Sequence, residues 1–425
     1  MKKLFVFLLL FFGLIAKPVL ADDYEIAAKS AIAVDANSGK ILYEKEATSP
    51  LEVGAITNIL TTYLVYEAIA EGKLSLETEV DISDYAYHLT VNPSIANLPL
   101  EARRYKVKDL LNASLLASAN SATIALAEQV AGSEENFVKM MKAKLKEWNI
   151  SDATIVNATG TDIRLLDGSL ETTNTEGESA ENSKSKKKQE TVNKFSAYDI
   201  AVIASHLIDD YPEVLGITSK SHVNFAGIQL ENPNLMLEGS PSFRTGVKGL
   251  KTGGSEQNGV SFVGVTSEKG MRLITVVLGV AQEDNDPNTR FGVTSSLMTY
   301  VTQNFSPTVL VKKGERYNNS QVAIRDSQED KVAAVASEDL VILERIANQA
   351  EHKVTFTPSP QELQAPLKKG SVVGTLTYTD SEPIGQGYIE NKKTSISMVT
   401  EKKVEKAIIF KVWWNDFIRF VNEKL

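Results

Sequence analysis

The 425-residue chain contains no cysteine, four histidines and only 7% aromatic residues. Without cysteine, a disulfide scaffold and thiolate metal sites are excluded, so the fold must rest on its apolar core, which a chain of this length can build. His88, His206, His222 and His352 are scattered, with no pair at ligand spacing. No metal or other cofactor is therefore expected, and each histidine reads as a surface or internally satisfied residue. Positive charge is also short: 45 Lys and Arg stand against 54 Asp and Glu, a net charge of −9. With no concentrated basic surface motif, nucleic acid is not an expected partner.

What is present is ordinary for a globular protein: 43% hydrophobic and 23% charged residues, enough chain for two or three domains. Residues 1–21 have the form of an export signal, with Lys2 and Lys3, an apolar run from Leu4 to Ile15, and a small-residue cleavage site at Val19-Leu20-Ala21. The alternative, a retained membrane span, needs a longer run. The mature chain is expected to begin at Asp22.

The strand-like runs Ala31–Val34 and Ile41–Glu44 flank a turn and predict a hairpin. Ser49 to Gly72 follows, with Ile56, Ile59, Leu60, Tyr63, Leu64 and Ile69 at helical spacing. Taken alone, that is a core helix. Leu74 to Arg104 shows little periodicity. Val107 to Val130 reads as a long helical region closed by Gly132, and Ser118 and Asn120 in its middle hint at a break between two helices. Glu134 to Trp148 is a further amphipathic helix. Residues 167–193 are polar and read as a surface insertion, whose Lys186–Lys188 run could touch anionic wall polymers or simply be solvated. Ser196 and Asp199 cap a helix that passes through Ile203 and Leu207. Val260–Val265 and Met271–Val280 predict a strand pair, the second central in its sheet, and Thr294–Thr302 a closing helix.

Three short stretches stand out as candidate chemistry: Ala55-Ile56-Thr57-Asn58 opening a helix, Ser118-Ala119-Asn120, and Lys251-Thr252-Gly253-Gly254 before the strand pair. Their placement resembles the serine D-alanyl-D-alanine carboxypeptidases, the low-molecular-mass penicillin-binding proteins, whose signature is S-x-x-K, S-x-N and K-T-G. The flanking sequence is similar to streptococcal members over nearly the whole chain. The resemblance implies an α+β fold of the penicillin-recognising, β-lactamase-like kind: an antiparallel sheet with a helical subdomain over residues 22–306, a small all-β domain over 307–399, and an amphipathic helix over 400–425.

It also implies roles. Ala55 stands at the position of the nucleophile and Asn58 at that of the lysine base, so both reacting groups are replaced. Ser118 would relay a proton and Asn120 would bind the substrate amide. Lys251, Thr252 and Gly253 would hold substrate beside the strand, the backbone amides of Ala55 and Gly254 would form an oxyanion hole, and Arg290 would hold a terminal carboxylate. The expected function is a peptidoglycan-maturation protein that is catalytically silent yet still binds D-Ala-D-Ala stem peptides, and β-lactams without acylation. The alternatives are an active serine-type carboxypeptidase that removes the terminal D-alanine, either through Ser118 or as a knocked-out variant of an active parent, and a non-enzymatic wall scaffold.

From Pro307 to Val399, short strand runs alternate with turns and carry no catalytic constellation. The chain then ends in a helical pattern with Ile409, Phe410, Trp413, Trp414, Phe417 and Phe420 on a broad apolar face bordered by basic residues. Its charges are too frequent for a membrane span, and the tryptophan pair suits a bilayer interface. The alternative is a helix packed on the β domain. The expected location is the extracytoplasmic face of the cell membrane.

Overall fold

The computed structural model describes residues 24–424 apart from 169–189, 283–285, 287, 319, 348–351 and 393. Residues 1–21, expected to be an export signal, and most of the polar insertion lie outside the described residues. The first domain is organised on a five-stranded antiparallel sheet of β1 (Ser30–Asp35), β2 (Ile41–Lys45), β3 (Val247–Ser255), β4 (Gly259–Glu268) and β5 (Met271–Val280), in the order β2-β1-β5-β4-β3. The first and last strands of this sheet in chain order, β1 and β5, thus pair, with Ala33 opposite Thr275.

Both faces of this sheet are covered, and the period of two explains how. Ile32, Val34, Ile274 and Val276 point into one core, while Ala31, Ala33, Leu273 and Val277 point into another. That two-sided burial is why β5 reads as a continuous apolar run. The larger core packs α1 (Asn58–Ala70), α2 (Val107–Leu115), α3 (Asn120–Ala131), α4 (Glu134–Glu147) and α5 (Ala197–Asp210). Across the sheet lies α6 (Thr289–Asn304), through Leu297, Tyr300 and Val301.

Local signals set the ends of these helices. Ser196 accepts from the Asp199 amide and Asp199 returns a bond to the Ser196 amide, a complete capping box before α5. Gly132 closes α3 at φ 77°. The helical region over 107–130 is two helices, α2 and α3, broken at Leu116–Ala119 with Ser118 at φ 53°. Likewise α1 begins only at Asn58, behind a 3₁₀ turn over Gly54–Thr57.

The second domain joins a ribbon of Phe305–Val311 and Leu340–Arg345 to a five-stranded sheet running, in spatial order, Gln321–Ala323, Lys331–Ala336, Ser395–Thr400, Val372–Thr379 and Lys353–Pro358. Its core is small and aliphatic, including Val311, Val322, Val332, Leu376 and Met398. A loop of this domain reaches back: Ile389 is buried in the first domain's core, and Lys40 pairs with Asp380 at 2.8 Å. His206, on α5, stacks on Trp148 with ring centroids 4.3 Å apart and bonds Glu390 at 2.8 Å. The last helix, α7 (Ile409–Lys424), is tied to this domain by Lys411, whose Nζ donates to Gln328 O at 2.8 Å and Asp330 at 3.0 Å.

Candidate functional site

The turn ahead of α1, the break between α2 and α3, and strand β3 converge on one cleft of about 590 Å³, lined among others by Ala55, Ser118, Asn120, Thr252, Gly253, Gly254 and Arg290. Ala55 is half-buried at the first turn. One turn deeper, Asn58 is fully buried, and its Nδ2 donates to Ser114 O at 3.0 Å. Its Oδ1 is a buried acceptor with no hydrogen-bond partner among the described residues. Such an orphan costs about 1–3 kcal/mol.

Ser118 sits in the break because the helix has stopped. A left-handed serine costs about 1–2 kcal/mol, and the conformation presents a half-buried side chain at the cleft. Lys251 lies behind it. Lys251 Nζ donates to Ser118 Oγ at 2.6 Å and to Thr252 O at 2.9 Å, with the residue only 2% exposed. Both of these partners are neutral. Burial first, and the guanidinium of Arg290 second, bring the Lys251 ammonium down to about 7. Arg290 is itself depressed, to about 10, chiefly by burial, and its Nη1 donates to Gly253 O at 3.1 Å. Arg290, joined by Lys251 when it is protonated, therefore brings positive charge to the cleft, a favourable field for an anionic ligand.

Asn120 lines the cleft, but both ends of its carboxamide are already engaged. Nδ2 donates to Ala96 O at 3.0 Å, and Oδ1 accepts from Thr161 Oγ1 at 2.7 Å. It fastens three segments of the wall together. Gly254 also differs from the resemblance, which implies an amide facing the cleft. Here the Gly254 N–H donates to Val53 O at 3.1 Å. The backbones approach so closely that a Cβ on Gly54 would lie 2.2 Å from Gly254 O, and one on Gly160 would lie 2.1 Å from Gly54 O. Glycine is required at both positions, because no side chain fits between the strands of backbone. The four histidines lie outside the cleft lining, and among the described residues no cluster of three or more His, Asp or Glu could hold a metal ion.

The D-alanyl-D-alanine carboxypeptidase family model matches residues 16–282. The chain belongs to that family, a group of cell-wall proteins of peptidoglycan metabolism that act outside the cytoplasm. Residues 305–406 match the C-terminal domain of penicillin-binding protein 5. The chain is 51% identical to a peptidoglycan synthesis regulatory factor (PBP3) from Streptococcus pneumoniae, with a TM-score of 0.82 over 90% of this chain and 100% of that one. It is 25% identical to penicillin-binding protein 5 from Haemophilus influenzae, with a TM-score of 0.66 over 90% of this chain and 99% of that one. Its identity to D-alanyl-D-alanine carboxypeptidase DacC of Escherichia coli is 28% over 357 residues, 83% of this chain and 80% of the relative.

Several lining residues were not singled out from sequence. Thr161, Ile95, Ala96, Arg164 and Leu165 come from segments with no periodicity. Gly160, between two threonines, carried the one readable signal, because an isolated glycine among turn-forming residues marks either a turn or a close approach.

Proposed function

We propose that this chain binds D-Ala-D-Ala-terminated stem peptides of peptidoglycan without turning them over, at the outer face of the cell membrane. One observation carries the reading: the side chain offered to the cleft from the 54–57 turn is the methyl of Ala55, and the next inward position, Asn58, holds a carboxamide. The family reaction forms a bond between a serine oxygen and the carbonyl of the penultimate D-alanine, expels the terminal D-alanine, and then hydrolyses the acyl enzyme. Ala55 has no oxygen with which to form that bond, and Asn58 has no basic lone pair near neutral pH. Loss of a serine nucleophile costs hydrolases on the order of 10⁶ in turnover, or about 8 kcal/mol of barrier.

The binding half of the site is better supplied. Thr252 and Arg290 line the cleft and Lys251 underlies it, and the positive charge of Arg290 and of protonated Lys251 suits the carboxylate of a peptide end. Penicillin-binding protein D2 of Listeria monocytogenes, 27% identical, has been solved in an ampicillin-bound form, which supports a β-lactam as a ligand here too. Among the described residues no helix is long and apolar enough to cross a membrane. The exposed Ile409, Phe410, Trp413, Trp414, Phe417 and Phe420 support attachment through α7 instead.

The test is incubation of the purified chain with a fluorescent penicillin, with mass spectrometry to find any adduct. No adduct, together with labelling gained by the double substitution Ala55→Ser and Asn58→Lys, is the expected result. A second reading rests on the 2.6 Å contact between Lys251 and Ser118, which is that of a nucleophile and its base. An adduct on Ser118 in the unaltered chain would establish it and overturn the first.

A further inference from the structure

A second hollow adjoins the cleft. Beyond Ser94, Arg164 and Leu165 lies a second cavity of about 250 Å³, and these three residues line both spaces. The rest of its lining is His88, Val91, Asn92, Pro93 and Gly168. Val91 is 72% exposed, a large aliphatic group left in solvent beside an opening.

This extension is held in shape by asparagines. Asn92 Nδ2 donates to Leu165 O at 2.8 Å and Asn92 Oδ1 accepts from the Ser94 amide at 2.9 Å. Further along, Asn97 Oδ1 accepts from the Ser121 amide at 2.8 Å, and the Asn120 amide donates to Ala96 O at 3.0 Å. The 92–97 segment is thus pinned both to the Asp162–Leu166 turn and to the start of α3, and both hollows share a preformed wall. Arg164 forms the ridge between them. Its Nε and Nη2 grip Asp162 at 3.0 and 2.6 Å, which fixes the plane of the guanidinium. Nη1 makes no hydrogen bond among the described residues, and the side chain is 47% exposed.

We propose that this second hollow is a subsite for the residues of a peptide ligand that precede its C-terminal dipeptide. An aliphatic chain would lie on Val91, Pro93 and Leu165, and a carboxylate would accept from Arg164. The inference rests on the stem-peptide reading above, and its ligand class follows from the lining. Three aliphatic surfaces beside one oriented guanidinium suit an acidic residue with methylene groups, joined to a peptide whose carboxylate end lies toward Lys251 and Arg290. The two spaces share Ser94, Arg164 and Leu165 in their linings, so an extended ligand that crosses this ridge can reach both.

The experiment is a methyl-NMR titration of the full chain with three probes: N-acetyl-D-Ala-D-Ala, the pentapeptide L-Ala-γ-D-Glu-L-Lys-D-Ala-D-Ala, and the tripeptide L-Ala-γ-D-Glu-L-Lys. The pentapeptide should shift the methyl signals of Val91 and Leu165, and the dipeptide should leave Val91 unmoved. Val91→Asp, a substitution at an exposed position, should weaken the pentapeptide on the order of tenfold and leave the dipeptide unchanged. A dipeptide that binds while both longer probes leave Val91 silent overturns the subsite and leaves the stem-peptide reading intact. If the dipeptide does not bind at all, the stem-peptide reading fails, and the tripeptide decides the subsite alone: shifts at Val91 uphold it and silence overturns it.

Discussion

The Gly254 amide donates to the Val53 carbonyl across 3.1 Å, which ties the strand bearing Lys251 and Thr252 to the turn bearing Ala55. In an acylating site that amide would stabilise the oxyanion of the substrate carbonyl, so the bond withdraws one donor from the chemistry. Gly254, at φ 140°, is free of the side-chain barrier that would stop its peptide from rotating. The double substitution Ala55→Ser and Asn58→Lys is therefore expected to gain penicillin labelling at position 55, and Ala55→Ser alone to gain far less, since it lacks the base. In the unaltered chain the Gly254 amide should be protected from hydrogen exchange, and in the acylated double variant its NMR signal should move. Exchange at the rate of an open loop would show that the Val53 bond is not formed.

Lys251 carries a pH dependence whose sign follows from its burial. Its ammonium is held down to about 7 from an ordinary 10.5, by burial first and Arg290 second. Between those values the unfolded chain binds a proton that the folded chain does not, so stability rises with pH across that window. Below about 7 both states are protonated and the cost is constant. Urea unfolding should show this rise in the parent and not in Lys251→Met. A ligand carboxylate works in the opposite sense, because it favours the charged amine. Affinity for N-acetyl-D-Ala-D-Ala should fall as pH rises through and above 7, and affinity for the corresponding C-terminal amide should stay flat.

The parts of this architecture that depend on periodicity were legible from sequence. Met271–Val280 is apolar on both faces because both faces are covered, and the small polar pair Ser118 and Asn120 marked the point where the helix breaks. The walls of the cleft were not legible in the same way. Asn120 is engaged by Ala96 and Thr161, 24 residues before it and 41 after it in the chain, and nothing local to any of the three announces the others. The same holds for Gly254 and Val53. Their contact is set by how β3 docks on the turn before α1, and a glycine in the sequence records only that space is short. Motif residues were found because a family pattern names them, whereas Arg164 and Leu165 belong to no pattern and required the fold.

The joint between the two domains offers a stability test. Lys40 and Asp380 pair at 2.8 Å with side chains 7% and 6% exposed, and Lys40 Nζ also donates to Leu343 O at 2.9 Å. Lys40→Met leaves a buried carboxylate without its cation, a loss of about 3–5 kcal/mol for such pairs. Replacing both, as Lys40→Met with Asp380→Leu, removes the uncompensated charge along with the pair and should recover most of the loss. Denaturant unfolding of the parent, the single and the double variant measures it. Equal losses in single and double would show that packing, not charge, holds the joint.

The proposed attachment through the last helix has a direct test. Trp413 and Trp414 are 66% and 56% exposed, and Trp413 stacks on Phe417, one turn on, with ring centroids 6.2 Å apart. Leaving two indoles in water is costly, and half-burying both in a bilayer interface is worth on the order of 3 kcal/mol by apolar area. That is about a hundredfold in partition. The double substitution Trp413→Ala and Trp414→Ala should lower sedimentation with phospholipid vesicles by that order, while leaving the unfolding midpoint of the two domains unchanged. If α7 instead packed on the β domain in solution, the same substitutions would lower that midpoint and leave vesicle binding where it was. Ala is a better helix former than Trp, so a loss of binding would report the rings themselves and not a melted helix.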